Sequence, residues 1–504
     1  MIILVRTNGV VSDYESPYVL AVDIGTSSVK AGLFDSHARS VAGTETTIPH
    51  NQTVASDGTS EEDADQIRRA VEGAIGTVLE EAKGLTSEIV GVGFDCMAST
   101  VLGVDLDGKA LTPIYTYADT RTAPDVDRLR EELDLPVVYD RTGVMQHTSY
   151  LPGRIRWLQR TKPEISKKID RYVDLSTYIF SKWFGRTDVK TSYCIASWSG
   201  LLNRRELKWD HGLLDHLGIE ESNLPRLAPW SHPDQGLAHE YRHRWPELAE
   251  LPFFLSVGDG AAVSVGSGCV DESKVAITVG STGAMRVLSK RPAPDVPPGL
   301  WAYQLGVERN MLGGSFSEGG NIFQWAIDNL RLPPIEQLNT ELEKLQPAAH
   351  GVSVLPFIAG ERATGWATSA TGVLEGIRVS TTPIEILQAM LESVSYRFAT
   401  VADLLLPGLS TEYQMIASGG AIRNSPWWLQ TMADVLRVPL GVSAEQQDTS
   451  RGTAILALNA LGVWDSLDTY PAQIVETYEP DLAKYDIYMG ARERQTELYS
   501  RILG

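Results

Sequence analysis

Cysteine is scarce in this chain: of 504 residues only Cys96, Cys194 and Cys269 carry a thiol, far apart and with no CxxC pair. That spacing disfavours a disulfide framework and a zinc ribbon and leaves buried free thiols in a reducing compartment. Long apolar runs are missing too. No stretch approaches the roughly 18 consecutive apolar residues of a membrane span. The apolar run at residues 2–5 is too short for a signal-peptide core, and no small-residue cleavage pattern follows it. Positive charge is in deficit, 44 Lys and Arg against 64 Asp and Glu, for a formal net charge of −20. So acidic a surface repels phosphate backbones and anionic lipid, so neither nucleic acid nor a membrane is an expected partner. No GxxxxGKS or GxxxxGKT loop occurs, and no GxGxxG follows a predicted strand, which disfavours P-loop and dinucleotide-binding folds. A cytoplasmic protein is expected, in which the sequon at Asn51-Gln52-Thr53 is idle.

What is there is ordinary globular material, 43% hydrophobic and 21% charged, in a chain too long for one core. Two large domains follow as the expectation: 17–256 and 257–504, behind a loose extension at 1–16. Residues 18–22 form an apolar run into DIGTSS (23–28), and VKAGLFD (29–35) alternates like a strand, so a hairpin with a polar tip is predicted. A helix is predicted over about residues 61–83, capped by Thr59 or Ser60, and a buried strand over 89–94. PFFLSVGDG (252–260) reads as a strand ending in a turn, followed by a small-residue helix. VAITVGSTGAMRV (275–287) then repeats the hairpin design about half the chain later. A long helix is predicted from about Thr382, with Pro383 in its first turn. ASGGAIRNSPWWLQ (417–430) reads as strand, Gly-Gly turn, helix.

Nucleotide phosphates need close backbone N–H groups, hydroxyl donors, a cation, and a carboxylate for the magnesium shell. Gly25 lets the backbone approach, Thr26 and Ser27 bring hydroxyls, Lys30 brings charge, and Asp23 is the candidate to hold Mg²⁺ through its waters. Taken alone this is as much an ordinary hairpin turn as a phosphate site. The second turn, Gly280-Ser281-Thr282-Gly283, makes it a pair able to grip phosphate from both sides. Gly419 and Gly420 leave room for a purine or ribose, with Asn424 placed for the base. Asp259 opens a predicted helix between the halves, as its cap or as the base that takes a proton from an acceptor hydroxyl.

In this order and spacing, AVDIGTSSVKAGLFD, YADTR, SVGDGAAVSVGSG, VAITVGSTGAMRV, LPFIAGER and ASGGAIRNSPWWLQ make the chain resemble the FGGY carbohydrate kinases, over about residues 18–462. The resemblance implies two RNase-H-like, actin-like ATPase domains of α/β type with a cleft between them. It implies ATP and Mg²⁺ as cofactors, a small sugar as the other partner, and a monomer or homodimer. It implies that Asp23, Thr26, Ser27 and Lys30 face the phosphates and that Ser281, Thr282 and Gly283 meet them from the other side. Gly320, Gln324, Gly420 and Asn424 would line the nucleotide, and Asp259 matches the family's base.

The sugar end departs from the family. Where members carry a Gln-Met-His or Gln-Arg-Glu segment, this chain has DCMAST (95–100), with Ser99 near the usual His or acid. Asp95 is a sugar contact or a strand-end cap. TSYCIASWSGLLNRRELKWD (191–210) resembles gluconate kinases most, and such a site needs a cation or N–H cluster for the carboxylate. Arg121, His147 and Arg154 are the candidates, each equally able to be structural. Gluconate or a ketopentose is the expected acceptor; the alternative is a silent ATP- and sugar-binding sensor on the same fold. HEYRH (239–243) matches a zinc-protease pattern but lacks a third ligand and is followed by Pro246. Trp325, Trp427 and Trp428 are expected to wedge helices against a sheet.

Overall fold

Residues 5–7, 10–12, 14–409, 412–445 and 447–504 are described by the structure, a computed structural model. The extension at 1–16 falls partly outside them; within it Val5–Thr7 pairs antiparallel with Val10–Ser12.

The two predicted hairpins each nucleate a sheet. The first sheet holds β1 (Tyr18–Ile24), β2 (Ser28–Phe34), β3 (Thr46–Pro49), β4 (Ile89–Cys96) and β5 (Val257–Gly258), in the order β5-β4-β1-β2-β3. β1 is buried at every position, as a central strand covered on both faces must be. The second sheet holds β6 (Lys274–Val279), β7 (Gly283–Ser289), β8 (Trp301–Gln304), β9 (Asn310–Phe316), β10 (Gln414–Ser418), β11 (Leu440–Ser443) and β12 (Ile474–Tyr478). Its order is β8-β9-β7-β6-β10-β11-β12. Without the outer strands, β5-β4-β1-β2-β3 and β11-β10-β6-β7-β9 are the same plan. Each begins with two parallel pairings and continues with two antiparallel ones. Duplication is therefore visible in topology where residue identity between the halves is too faint to prove it.

Seven helices matter to the site: α1 (Ala64–Glu81), α2 (Asp259–Gly266), α3 (Gly320–Asn329), α4 (Pro383–Leu405), α5 (Gly420–Arg423), α6 (Pro426–Leu436) and α7 (Asp448–Ala460). The long helix α4 starts as expected, with Thr382 and Glu385 forming a capping box around Pro383. α1 starts later than expected. Ser60–Glu62 is drawn into a small sheet with Thr53–Val54 and Ile114–Tyr115, and Asp63 becomes the cap, accepting from the Gln66 N–H at 2.7 Å. The strand expected at the start of PFFLSVGDG shrinks to β5, because Phe253 makes only isolated bridges to Val92 and Asp234. Trp427 and Trp428 are buried as expected, whereas Trp325 is 37% exposed on α3 and wedges nothing. The three cysteines are buried free thiols. No helix among the described residues is long and apolar enough to cross a membrane.

The two sheets are joined where α2, which follows β5 of the first sheet, crosses α7, which follows β11 of the second. A Cβ on Gly266 would lie 1.8 Å from the Asp448 carbonyl oxygen, and one on Gly452 would lie 1.8 Å from that of Ala262. Only glycine permits so close a crossing. α7 also packs on β1 and β4 of the first sheet, where Thr453 donates its hydroxyl to Asp95 Oδ2 at 2.5 Å. One hydrophobic core lies under the first sheet around Leu20, Val22, Ile75 and Phe94. A larger one surrounds β6, β7 and α4 and runs on into Ala262 and Ile455 of the crossing helices.

Candidate active site

Both glycine-hydroxyl turns open on a single cleft of about 670 Å³, within the size range of small-molecule sites. The first turn closes with a Gly25 N–H to Ser28 carbonyl bond of 3.1 Å. Beneath it, His50 sets Nε2 3.0 Å from the Gly25 carbonyl and Nδ1 3.0 Å from the Glu62 carboxylate. Burial pulls the His50 pKa down, but the Glu62 hydrogen bond and charge outweigh it and the net direction is up. Thr26 and Ser27 are left at the cleft wall.

The second turn is held from behind by α3. Gly320 N–H donates to the Gly280 carbonyl at 2.7 Å and Asn321 N–H to the Ser281 carbonyl at 3.1 Å. A Cβ on Gly419, whose φ is +95°, would meet the Val279 carbonyl oxygen at 2.5 Å, and one on Gly320 would meet Ala421 at 2.7 Å. These glycines exist so that the third turn can pack against the back of the second. Gly420, by contrast, faces open space. Gln324, bonded to Asp328, and Asn424 are exposed. Gly320, Gln324, Gly419, Gly420 and Asn424 therefore cluster around α3 and α5, behind the second turn, and are not part of the cleft lining itself.

Three carboxyls meet at the floor. Asp23 on β1 is paired in register with Asp95 on β4 and with Lys30 on β2, so acid, acid and cation form a row across the sheet. The Lys30 ammonium stands 3.7 Å from Asp23. Burial, then the Asp23 charge, holds Asp95 well above the usual carboxylate range, against the opposing Thr453 hydrogen bond. Asp23 is also raised by burial, but Lys30 and a hydrogen bond from Asp95 pull it back. Two adjacent buried carboxyls do not both ionise. Of the two, Asp95 is the one pushed further toward its protonated form, and Asp23 has Lys30 beside it. Asp259 begins α2 and accepts from the Gly260 N–H at 2.7 Å. Burial raises its pKa, partly offset by that N–H and by Arg286.

Asp23 presents a hard oxygen ligand to the cleft beside hydroxyl-bearing turns, which fits Mg²⁺ held through water and phosphate oxygens rather than in a protein cage. Among the described residues no group of three His, Cys, Asp or Glu side chains forms a cage. The HEYRH imidazoles sit with Nε2 atoms 3.2 Å apart on the exposed His239–Arg244 helix.

The sugar candidates fare unequally. Asp95 lies beneath the cleft, bonded to Thr453, and does not line it. Ser99 lines it, but its hydroxyl donates to the Trp198 carbonyl at 2.6 Å. Arg121 is consumed by Asp119 and Glu61 and stacks over Trp157. Arg154 is fully buried and holds the Ser99 and Thr148 carbonyls. Neither arginine lines the cleft. His147 does line it, but its Nδ1 accepts from the Ser149 N–H at 3.2 Å and its ring bonds to the Glu361 backbone. Burial pushes it down to about 3, so it is neutral.

Among the lining residues that a reading by motif roles does not reach are Tyr117, Trp198, Arg286 and Arg362. Arg286 was detectable as the one charge inside an apolar strand, two residues from Ala284 and therefore on its cleft-facing side. Arg362 stands in LPFIAGER, where its neighbourhood carried no spacing signal.

A family model described as the FGGY family of carbohydrate kinases, N-terminal domain, matches residues 18–266, and its C-terminal-domain counterpart matches residues 275–461. The chain is 28% identical over 479 residues to the gluconokinase of Bacillus subtilis (strain 168), covering 92% of this chain and 91% of that one. It is 25% identical over 498 residues to the glycerol kinase of Lactococcus lactis, covering 96% and 97%. Among solved structures, a gluconate kinase from Lactobacillus acidophilus superposes with a TM-score of 0.88 at 24% identity, over 96% of this chain and 98% of that one. A xylulose kinase from Rhodospirillum rubrum gives 0.83 at 24%, over 96% and 99%. The fold is thus the two-domain RNase-H-like, actin-like ATPase architecture.

Proposed function

This chain belongs to the FGGY family of carbohydrate kinases, ATP-dependent phosphotransferases acting on a hydroxyl, and from that premise we propose that its acceptor is gluconate or a ketopentose, with Asp259 as the base. The observation that carries the reading is Asp259 lining the same cleft as both glycine-hydroxyl turns. Residues 17–256 are assigned the sugar side and residues 257–504 the nucleotide side. Gly320, Gln324, Gly419, Gly420 and Asn424 receive the nucleoside.

In the reaction the acceptor oxygen forms a bond to the γ-phosphorus while the bond to the β-phosphate bridging oxygen breaks and ADP leaves. The acceptor proton passes to Asp259, whose raised pKa brings it nearer to neutrality and makes it a better base than an ordinary aspartate. Thr26, Ser27, Ser281 and Thr282 hold the phosphates by hydroxyl and backbone N–H groups, and Lys30 balances their charge. Asp23 would hold Mg²⁺, which when bound neutralises phosphate charge. Asp95, protonated and tied to Thr453, keeps Asp23 aimed. The cytoplasm, with ATP at hand and thiols kept reduced, is the assigned location, and a monomer or homodimer the assigned state.

The test is sugar-dependent ADP release under Mg·ATP with gluconate, xylulose, ribulose and glycerol. Release with gluconate or a ketopentose supports the reading. Nucleotide binding with no release for any sugar would establish the silent sensor instead.

A further inference from the structure

Two guanidinium groups line the cleft, and they differ in what they already hold. Arg286 donates to Thr278 Oγ1 at 3.2 Å and attracts Asp259. Arg362 is 8% exposed, yet among the described residues it forms no ion pair and its side chain makes no hydrogen bond; its Nε is buried without a partner. Its guanidinium carbon lies 5.5 Å from the centroid of the Tyr117 ring, and like Arg286 it attracts Asp259 through space. A buried cation without an acceptor is destabilising, so such a group is kept where a ligand supplies the anion.

The segment that carries it is anchored through Glu361. Glu361 accepts from Arg397 at 2.6 Å and from the Tyr499 hydroxyl at 2.9 Å, and the neutral His147 ring bonds its backbone from across the cleft. Arg397 next door is ion-paired with Glu361 and Glu318, whereas among the described residues Arg362 has no ion-pair partner and lines the cleft. A cation carried on an anchored segment loses less entropy on binding than one on a free loop.

We propose that Arg362 binds the carboxylate of a sugar acid, making the enzyme selective for aldonic acids over neutral ketoses and polyols. The inference rests on the kinase reading above. A planar guanidinium accepts a carboxylate through two parallel hydrogen bonds. The same ligand carboxylate is repelled by Asp259, so it goes to Arg362 and leaves the hydroxyls of the chain to the base. A phosphate oxygen of ATP offers similar chemistry, and the experiment separates the two.

The experiment compares D-gluconate with D-gluconamide, the same carbon chain with a neutral end, in wild type, Arg362→Met and Arg362→Lys. Wild type is expected to favour gluconate by about 100-fold in kcat/KM, as a charge-assisted pair desolvated in a cleft should. Arg362→Met should bring that ratio within about threefold of unity with KM for ATP unchanged, and Arg362→Lys should recover part of it. Because among the described residues the side chain forms no hydrogen bond or ion pair, the melting temperature should not fall. A wild-type ratio near unity, or a ratio that survives Arg362→Met, overturns the proposal while leaving the kinase reading intact. A raised KM for ATP with the ratio preserved also overturns it and reassigns Arg362 to phosphate. If no sugar is phosphorylated, but calorimetry shows gluconate binding that Arg362→Met abolishes, the carboxylate site stands and the kinase reading falls.

Discussion

Replacing Asp259 by asparagine changes one atom and leaves the side chain able to accept the Gly260 N–H bond seen at 2.7 Å. What is lost is the site for the acceptor proton. General base catalysis is worth about 10²- to 10⁴-fold, or about 3–5 kcal/mol at 1.36 kcal/mol per tenfold, so kcat should fall by that factor. KM for ATP should stay within about threefold, because the triphosphate contacts are assigned to the two turns. The same variant has a second readout. Burial raises the Asp259 pKa in the folded protein even after Arg286 has pulled it down. The native state therefore holds this proton to higher pH than the unfolded chain does, and stability falls as pH rises from the unfolded value through the folded one. Above that window the charge is a net penalty. Asp259→Asn should therefore melt above wild type at pH 7, with the gap closing as pH falls toward about 4, the unfolded carboxylate range. The assays are steady-state coupled ADP release and thermal melting across pH. Turnover retained within about threefold would refute the base assignment. A variant that melts lower at pH 7 would refute the electrostatic reasoning, by showing the carboxylate to be a structural ion-pair member.

Three further outcomes are expected. Gly420→Val should raise KM for ATP about tenfold with no drop in melting temperature, since a Cβ there meets nothing in the protein and the substitution can obstruct only a ligand; steady-state kinetics and a melt check both halves. Gly452→Val should cost at least about 3 kcal/mol in urea unfolding, at or beyond the usual overpacking range, because the clash at 1.8 Å is with backbone of the partner helix. Arg397→Met should cost about 3–5 kcal/mol by leaving buried Glu361 and Glu318 without their cation, also read by urea unfolding.

The hairpins were legible because glycine and hydroxyl residues between apolar runs have few other uses, and both turns sit where the pattern places them. The Asp259 position was legible for the same reason: an acid between a strand and a small-residue helix. Its surroundings were not, since Arg286 and Arg362 come from segments that meet only in the tertiary fold. Arg121 and Arg154 were drawn into the sugar reading by charge alone, and the structure spends both elsewhere, on Asp119 and Glu61 and on backbone carbonyls. Asp95 was read as either a sugar contact or a strand-end cap; the parallel register with Asp23, invisible in sequence, sets it beside a second buried carboxyl instead. The late start of α1 has a similar origin, because Ser60–Glu62 pairs with a strand more than fifty residues away.

The central claim is that one triphosphate is held by both turns above Asp259. A crystal structure with Mg²⁺, a non-hydrolysable ATP analogue and gluconate tests it directly. The account predicts density for the γ-phosphate between Thr26-Ser27 and Ser281-Thr282, with a gluconate hydroxyl within hydrogen-bond reach of the Asp259 carboxylate. A triphosphate contacting only one turn, or a sugar seated away from Asp259, would contradict it.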